Sequence, residues 1–352
     1  MTIKSCTYAE AILLAQSRIL KENPNSFLLG INVTSPSAIF GTTIGLLQEF
    51  GAHRVIESPA SENAITGIAL GLATSGSTSI LVHQRLDFAI LSLDMIINQL
   101  AKWNYMYGDL LTSSVIIRLI IGRGWGQGPQ HSQALPSLFM HVPGLEVYAP
   151  STPQEVFSTL INASRKNSPT IILEHRWLFD IQGNVAVDED LPLPKSSIVV
   201  SSDPAASVTL VTISFSTLEV TRARDLLSDQ NIKIDIIEVS RLDKLDLESI
   251  IKSTLKTKKL ILVDIGHSFA GASSAILSEL YCAGMTLDSP PIILGLPRYP
   301  TPTAPSLARD YYPRCIDILN SITSLIGSSV KFIDPDYGKQ LDVPGDRFIG
   351  YY

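Results

Sequence analysis

The chain has 352 residues, of which 45% are hydrophobic and 17% charged, and this length and composition predict two compact domains with apolar cores. Its formal net charge is −6, and its one short basic run is Lys256-Thr257-Lys258-Lys259, which argues against nucleic acid as a main partner. The 3 cysteines are widely spaced and form neither a disulfide framework nor a zinc pattern, as is typical of a reducing compartment.

The first predicted element is an amphipathic helix within Met1 to Leu20. Its acidic and polar residues distinguish this segment from a signal peptide. No apolar run in the sequence approaches the roughly 18 residues needed to cross a bilayer. We therefore expect a cytoplasmic protein with no membrane partner.

Strand-like and helix-like segments then alternate through the first half of the chain. The predicted strands cover 26–31, 53–57, 79–82, 114–121, 145–148 and 170–174. The predicted helices cover 9–20, 39–50, 62–75, 89–103, 135–140 and 153–166. This alternation is typical of parallel βαβ units in a sheet covered on both faces.

An acidic stretch containing Pro192, Pro194 and Pro204 follows, and it lacks a sustained period. We place a linker there, at 186–206, between a first domain at 1–185 and a second at 207–327. The second domain repeats the pattern, with strands at 208–213, 232–239, 259–264 and 291–295 and helices at 217–229, 247–255, 270–283 and 314–326. The tail at 328–352 is either disordered or docked on a neighbour, and its aromatic residues favour docking.

Glu62 opens the predicted helix at 62–75, which is otherwise rich in small and apolar residues. One interpretation is a carboxylate that interacts favourably with the helix dipole. The other is a buried acid that faces a ligand. Gly67 and Gly71 would weaken an isolated helix, so they indicate a helix packed tightly against another surface.

A glycine-rich segment from Gly122 to Gln133 follows a predicted buried strand, which is where α/β folds place ligand sites. It is not a Walker loop, because no Lys-Ser or Lys-Thr follows its last glycine. It is also a poor dinucleotide fingerprint, because Pro129 interrupts the helix start. His131 near its end is the more specific signal, since histidine titrates near neutral pH and can transfer protons.

A third feature is the polar segment at the end of the predicted strand 79–82. His83, Arg85 and Asp87 follow one another at alternate positions there. They are either a solvated strand terminus with an Arg–Asp pair or part of a polar substrate pocket.

These features occur in the same order in a known family. From about Thr7 to Asp180 the chain resembles the β subunits of the decarboxylating components of 2-oxoacid dehydrogenases. The matching segments are Ser61-Glu62, Gly67 to Gly71, Phe88, Asp94 to Gln99, Gln130 to Gln133, Pro143 to Val147 and Ala149 to Glu155. From Val208 onward a weaker resemblance is to the C-terminal domain of transketolases.

The resemblance implies an α/β fold with two domains. The first would be a parallel-sheet, aminopyrimidine-binding domain of the transketolase central type, and the second an α/β domain of the transketolase C-terminal type. The cofactor implied is thiamine diphosphate, shared with a partner chain. Glu62 would bond a ring nitrogen of the aminopyrimidine, Phe88 would stack on that ring, and His131 would lie near the reacting carbon.

The remaining site assignments follow the same resemblance. Ala60 joins Glu62 and Phe88 among the cofactor-binding residues. Gln130 joins His83, Arg85 and Asp87 as a lining residue of the substrate pocket.

The chain lacks the magnesium motif of this family, which is Gly-Asp-Gly with a downstream Asn that supplies oxygen ligands. Gly108-Asp109-Leu110 and Gly345-Asp346-Arg347 do not fit it. We therefore expect the pyrophosphate and Mg²⁺ to be bound by an α subunit that carries this motif. The family implies an α2β2 heterotetramer.

The chain also departs from the family. His83, Arg85 and Asp87 replace apolar and small polar residues, which points to a polar or sugar-like substrate or to an acceptor other than a lipoyl arm. Lys166 and Ser168 stand where Asp and Asn are common, which argues against a monovalent cation site. The first hypothesis is decarboxylation of a 2-oxo acid with acyl or aldehyde transfer. The alternatives are a split transketolase-like carboligase and a non-catalytic relative.

Overall fold

The structure of the protein is a computed structural model that describes residues 2–109, 114–122, 127–189, 191–192 and 195–337. The strands of this part of the chain are β1 (Ile3–Thr7), β2 (Ser26–Gly30), β3 (Val55–Glu57), β4 (Thr78–His83), β5 (Val115–Ile121), β6 (Glu146–Tyr148), β7 (Pro169–His175), β8 (Gln182–Ala186), β9 (Ser197–Ser201), β10 (Thr209–Thr212), β11 (Asp235–Val239), β12 (Leu260–His267) and β13 (Ile292–Leu296).

The α-helices of the described residues are α1 (Tyr8–Glu22), α2 (Leu46–Phe50), α3 (Glu62–Thr74), α4 (Leu86–Ala89), α5 (Trp103–Tyr107), α6 (Pro136–Met140), α7 (Pro153–Ala163), α8 (Ser216–Ser228), α9 (Glu248–Thr257), α10 (Ala272–Cys282), α11 (Pro305–Ala308) and α12 (Cys315–Ile326). Within the described ranges, no helix is both long enough and apolar enough to span a membrane.

The first half of the chain forms a six-stranded sheet in the order β3-β2-β4-β5-β7-β6, with every pairing parallel. Strands β4, β5 and β7 are buried along their whole length, as expected for strands covered on both faces. Helices α1 and α7 pack against each other beside this sheet. The predicted parallel α/β architecture is confirmed.

The second half forms a five-stranded sheet in the order β13-β12-β10-β11-β9. Its pairings are parallel except for β9, which runs antiparallel to β11. The two halves are in direct contact. The backbone amide of Ala149 donates to the Ser240 carbonyl, and the backbone amide of Leu242 donates to the Val147 carbonyl. The segment predicted as a linker at 186–206 contains β9, an edge strand of this second sheet.

The helix predicted at 9–20 is confirmed as α1 (Tyr8–Glu22), whereas the strand that precedes it was not predicted. Residues Ile3–Thr7 form β1, which pairs antiparallel with β8, so that Ile3 lies opposite Ala186. The helix begins only at Tyr8, where the Thr7 hydroxyl accepts a hydrogen bond from the Glu10 backbone and closes a capping box. A partner so far along the chain leaves no local signal in the sequence.

Two further helix predictions are corrected. The helix predicted at 39–50 begins only at Leu46, because Ala38, Ile39 and Phe40 have left-handed φ angles of 46°, 47° and 56°. The helix predicted at 89–103 is a broken path of α4, a 3₁₀ turn, a π-helical segment at Asp94–Gln99, a second 3₁₀ turn and α5. Of the tail at 328–352, residues 338–352 lie outside the described part of the chain.

One buried ion pair joins the centre of the first sheet to α1. The Arg118 guanidinium donates to both carboxylate oxygens of Glu174 at 2.6 and 2.8 Å, and to the Gln16 side-chain oxygen at 2.7 Å. Neither charged side chain is exposed. Since each of the three guanidinium nitrogens donates to an acceptor, this pair fixes the position of β5 against β7 without an unpaired charge.

Two carboxyl groups meet where the two domains join. The Ser151 hydroxyl contacts Glu238 Oε2 at 2.6 Å and Glu155 Oε2 at 3.2 Å. Burial and then the neighbouring Glu155 raise the pKa of Glu238 well above its ordinary value, and burial likewise raises the pKa of Glu155. The protonated forms are therefore favoured in the folded protein.

We expect this pair to make the protein less stable as the pH rises. A carboxyl group with a raised pKa stabilises the fold below its unfolded pKa, and that contribution is lost as pH rises through the folded pKa. Glu238→Gln resembles the protonated acid and does not titrate. From pH 5.5 to 8.5 its free energy of unfolding, measured by urea denaturation, should therefore fall by about 1–3 kcal/mol less than that of the wild type.

Glu146→Gln is the matched control, because the contribution of Glu146 to stability depends on pH in the opposite direction. Although burial opposes it, the Lys166 ammonium and the Tyr148 hydroxyl lower the pKa of Glu146, so its contribution is present at neutral pH and lost in acid. Equal pH profiles for Glu238→Gln and the wild type would contradict the interpretation of the Glu155–Glu238 pair.

Candidate functional site

The predicted site residues lie at one edge of the six-stranded sheet. Because β4, β5 and β7 are parallel neighbours, their carboxyl ends meet at that edge, which we call the carboxyl edge. His83 is the last residue of β4 and Phe88 follows it, Gly122 and, further along the chain, His131 follow β5, and Arg176 follows β7. Residues that are far apart in the sequence are therefore brought together.

Phe88 and His131 are in direct contact. Their ring centroids lie 5.3 Å apart with the planes at 85°, an edge-to-face arrangement. Both side chains are half-buried, so each keeps a face open to a ligand. Gln130 and Ala60, by contrast, are exposed.

Glu62 is the first residue of α3 and is only 8% exposed. The preceding residue, Ser61, makes no side-chain cap, and α3 packs against α4, the short helix that carries Phe88. Gly67 supports the predicted tight packing, because a Cβ there would lie 3.2 Å from the Met95 methyl carbon. Gly71 does not, because it is exposed and a Cβ there would meet open space.

The three polar residues at the end of β4, His83, Arg85 and Asp87, do not form a solvated strand terminus. His83 and Arg85 are each 4% exposed, and Asp87 is half-buried. Within the described residues, three of their buried atoms lack a hydrogen-bond partner: His83 Nε2, Arg85 Nη1 and Asp87 Oδ2. Buried polar atoms are rarely left unpaired, so this cluster is suited to a polar ligand.

His83 is neutral in this site. Burial lowers the pKa of His83 to about 4, so the ring carries no charge near neutral pH. With Nε2 unpaired among the described residues, the ring can offer a donor or an acceptor to a ligand, according to its tautomer.

Arg85 and Asp87 hold the segment that carries His131. The Arg85 guanidinium donates to the Gln127 side-chain oxygen, and the Gln133 amide donates to Asp87 Oδ1 at 2.8 Å. These two contacts lie on either side of His131 in the sequence. In place of the Arg–Asp hydrogen bond of one interpretation, each of the two side chains contacts the segment that carries His131.

Arg176, His175 and Phe40 were not predicted from the sequence. Arg176 is 2% exposed, and its guanidinium carbon lies 4.5 Å from the Phe40 ring centroid. The His175 ring stacks on Phe215 of the second domain at 4.8 Å. The strand-end rule that selected His83 also applies after β7 and could have found Arg176, whereas Phe40 lies in a left-handed segment with no local signal.

In the described part of the chain, no group of three or more His, Cys, Asp and Glu side chains is arranged to hold a metal ion. Two cavities, of about 540 and 440 Å³, lie away from the carboxyl edge. The larger is lined by Glu155, Leu191 and Lys195, and the smaller by Leu14, Arg18 and Val187. Neither includes a predicted site residue.

Comparison with known proteins agrees with this architecture. Residues 4–180 match the transketolase pyrimidine-binding domain, and residues 198–318 match the transketolase C-terminal domain. The pyruvate dehydrogenase E1 component subunit beta of Rickettsia bellii is 30% identical over 321 residues, covering 90% of this chain and 97% of that protein.

A second relative and a solved structure extend the comparison. The acetoin:2,6-dichlorophenolindophenol oxidoreductase subunit beta of Cupriavidus necator is 31% identical over 288 residues, covering 80% of this chain and 82% of that protein. A split-gene transketolase, described as an inactive beta4 tetramer, superposes with a TM-score of 0.72 at 18% identity over 92% of this chain and 99% of that one. At that identity, the superposition shows the fold alone.

The fold and the matched domains define a transketolase-like protein of a thiamine-diphosphate-related family. Within it, the chain belongs to the family of 2-oxoacid dehydrogenase E1 β subunits, as the resemblance predicted.

A substitution at Gly122, just after β5, tests how closely the backbone there approaches His175 at the end of β7. Its φ is +85°, and a Cβ there would overlap the His175 ring. Gly284 has nearly the same φ, +84°, with nothing within 4 Å, and is the matched control. Gly284→Ala should cost only backbone strain, about 1–2 kcal/mol, whereas Gly122→Ala should cost more because His175 must move. Equal losses in urea denaturation would show that the ring is not held there.

Proposed function

We propose that this chain is the β subunit of a thiamine-diphosphate-dependent enzyme that decarboxylates a 2-oxo acid and transfers the acyl or aldehyde unit to an acceptor. The observation that carries the proposal is the contact of Phe88 with His131 beside a helix that opens with buried Glu62. An aromatic face, a proton-transferring ring and a shielded carboxylate are what an aminopyrimidine cofactor and its reaction need.

The side chains at the carboxyl edge fit the cofactor in chemical type. Glu62 would hold a proton at a ring nitrogen, and its low exposure strengthens such a hydrogen bond. Phe88 offers a half-buried ring for stacking, and Ala60 is a small residue two positions before the start of α3. When bound, thiamine diphosphate supplies the electron sink that decarboxylation of a 2-oxo acid requires.

His131 would move protons at the reacting carbon. The edge-to-face contact with Phe88 and the Gln133–Asp87 hydrogen bond hold its ring in place. Such preorganisation matters because proton transfer requires hydrogen-bond distances in the reacting complex. We also propose that Gln130, His83, Arg85 and Asp87 contact the substrate, which the unpaired buried atoms of the last three residues support.

We further propose that an α subunit with a Gly-Asp-Gly…Asn motif binds the pyrophosphate and Mg²⁺, in an α2β2 heterotetramer. The surface around α3 supports a partner on this side. Ile68 on α3, Leu91 after α4 and Tyr105 on α5 are 53%, 68% and 95% exposed. Ile68 and Leu91 lie on elements that pack together, α3 and the 3₁₀ turn Ile90–Ser92, and exposed apolar side chains so placed are typical of a protein interface.

A second candidate is a split transketolase-like carboligase with a polar acceptor. The buried polar atoms of His83, Arg85 and Asp87 favour it, because a pyruvate-sized apolar pocket would not need them. Product analysis distinguishes the two, since reductive acylation of lipoamide marks the first and an acyloin or ketose marks the second.

Glu62→Gln tests the cofactor assignment. The change keeps the shape of the side chain but removes the acid, so turnover by the complex with its partner subunit should fall by roughly 10²–10⁴-fold. Glu279→Gln, the same change on the exposed face of α10, is the control and should leave turnover unaltered. Wild-type turnover in Glu62→Gln would remove the assignment.

His131→Ala separates chemistry from binding. It should lower kcat by roughly 10²–10⁴-fold while cofactor affinity changes little, because His131 is assigned to proton transfer. Exposed His141, at the end of α6, gives the control variant His141→Ala. Cofactor titration followed by steady-state kinetics measures both quantities, and a loss of cofactor affinity without a loss of kcat would reassign His131 to binding.

A further inference from the structure

Ser58 and His83 are buried polar residues at the carboxyl edge. Ser58, just after β3, is 6% exposed, and His83, the last residue of β4, is 4% exposed. Among the residues that the structure describes, Ser58 Oγ and His83 Nε2 have no hydrogen-bond partner. A buried hydroxyl or imidazole nitrogen without a partner costs free energy, so both atoms are suited to a ligand that supplies one.

The sheet places Ser58 and His83 in one row. Gly30 of β2 pairs with Glu57 on one side and with Val82 on the other, so the next residues along β3 and β4 are in register two strands apart. The Ser58 backbone amide donates to the Gly30 carbonyl at 3.0 Å, which continues the parallel ladder one residue past β3. Two strand spacings separate the backbones by roughly 10 Å, an interval that two inward-facing side chains and a short polar molecule can bridge.

His83 lies on the face of the sheet that α3 covers. Side chains alternate along a strand, so His83 shares a face with Ser79, four residues earlier in β4. The Ser79 hydroxyl donates to the Ala69 carbonyl of α3 at 3.3 Å, which identifies this face. Helix α3 begins with buried Glu62, the residue proposed to bind the aminopyrimidine. The unpaired imidazole nitrogen therefore lies on the face and at the edge where the proposed cofactor and its substrate meet.

The charges around this edge balance one another. The Asp87 carboxylate interacts favourably with the Arg85 guanidinium, and the Asp180 carboxylate with the Arg176 guanidinium. Burial lowers the pKa of His83 to about 4, so its ring is neutral near neutral pH. These surroundings do not favour an anion, and a methyl group would leave the two buried polar atoms unpaired. A hydroxyl group satisfies both requirements, because it is uncharged and can donate as well as accept.

We propose that Ser58 and His83 form a hydrogen-bonding subsite for a hydroxyl group of the substrate. This inference rests on the proposed function and narrows its substrate class to a 2-oxo acid with a hydroxyl group beyond the oxo carbon, of which 3-hydroxypyruvate is the shortest. The carboxylate leaves as carbon dioxide, whereas the hydroxyl group stays with the unit that is transferred. Such a subsite rejects an analogue without the hydroxyl group, because its buried polar atoms are then left unpaired.

The test compares two substrates in the complex of this chain with its partner subunit, saturated with thiamine diphosphate. The ratio of kcat/KM for 3-hydroxypyruvate to kcat/KM for pyruvate is measured for the wild type, His83→Phe and Ser58→Ala. The wild type should prefer 3-hydroxypyruvate by at least about 10-fold. His83→Phe, which fills the position with an apolar ring, should lower the ratio by about 10- to 100-fold, and Ser58→Ala by about 10-fold.

Two further variants make the result specific. His83→Gln keeps a hydrogen-bonding group and should retain part of the preference, whereas His141→Phe, at an exposed position, should leave the ratio unchanged. Circular dichroism identifies a variant that does not fold, and if His83→Phe is one, Ser58→Ala takes its place in the comparison. A wild type that does not prefer 3-hydroxypyruvate, or a ratio unchanged in the folded variants, would overturn the subsite.

Direct binding separates failure of the subsite from failure of the proposed function. Glycerate and lactate are unreactive probes that differ by one hydroxyl group, and calorimetry should show that the complex binds glycerate about 10-fold more tightly, with the difference lost in His83→Phe. If no 2-oxo acid is turned over but this difference is found and depends on His83, the proposed function fails and the subsite remains. If 2-oxo acids are turned over and the two probes bind equally, the subsite fails alone.

Discussion

The site depends on the parallel pairing of β4, β5 and β7. Parallel neighbours end at a common edge, so Phe88, His131 and Arg176, which follow three different strands, are brought to one place. The Arg118–Glu174 ion pair joins β5 to β7 within this sheet. A shift between those two strands would separate two unexposed charges, which is costly.

Buried charged and polar residues of the first domain divide into two groups. Arg118, Glu174 and Gln16 satisfy one another and are explained by the fold alone. His83, Arg85 and Asp87 each retain an unpaired buried atom among the described residues, and all three lie at or just after the end of β4, at the carboxyl edge. Since a folded chain pairs its buried polar groups wherever it can, the second group supports the proposed ligand site.

Much of the fold could be predicted from the sequence because its signals are local. Strands such as Val115–Ile121 are continuous apolar runs, and helices such as Pro153–Ala163 have a clear period and a capping box. The pairing of Ile3 with Ala186 could not be predicted, since it depends on residues far apart in the chain. The left-handed path through Ala38 to Phe40 was missed for the same reason, because it is imposed by the surrounding packing.

The candidate site was predicted only in part. Glu62, Phe88 and His131 came from short motifs, and the structure adds the contact between Phe88 and His131 and the burial of Glu62. His83 and Arg85 were recognised as unusual, but their burial could not be predicted, because an Arg–Asp spacing is equally typical of a solvated strand end. Arg176 follows a predicted strand and could have been found by the same rule, whereas Phe40 lies in a left-handed segment without a local signal.

The most direct test is an experimental structure of this chain with its partner subunit and thiamine diphosphate. The account predicts that the cofactor lies between the two chains, with a Glu62 carboxylate oxygen within hydrogen-bond distance of a pyrimidine nitrogen and the ring stacked on Phe88. A cofactor bound wholly by one chain, or a pyrimidine ring out of reach of Glu62, would contradict it.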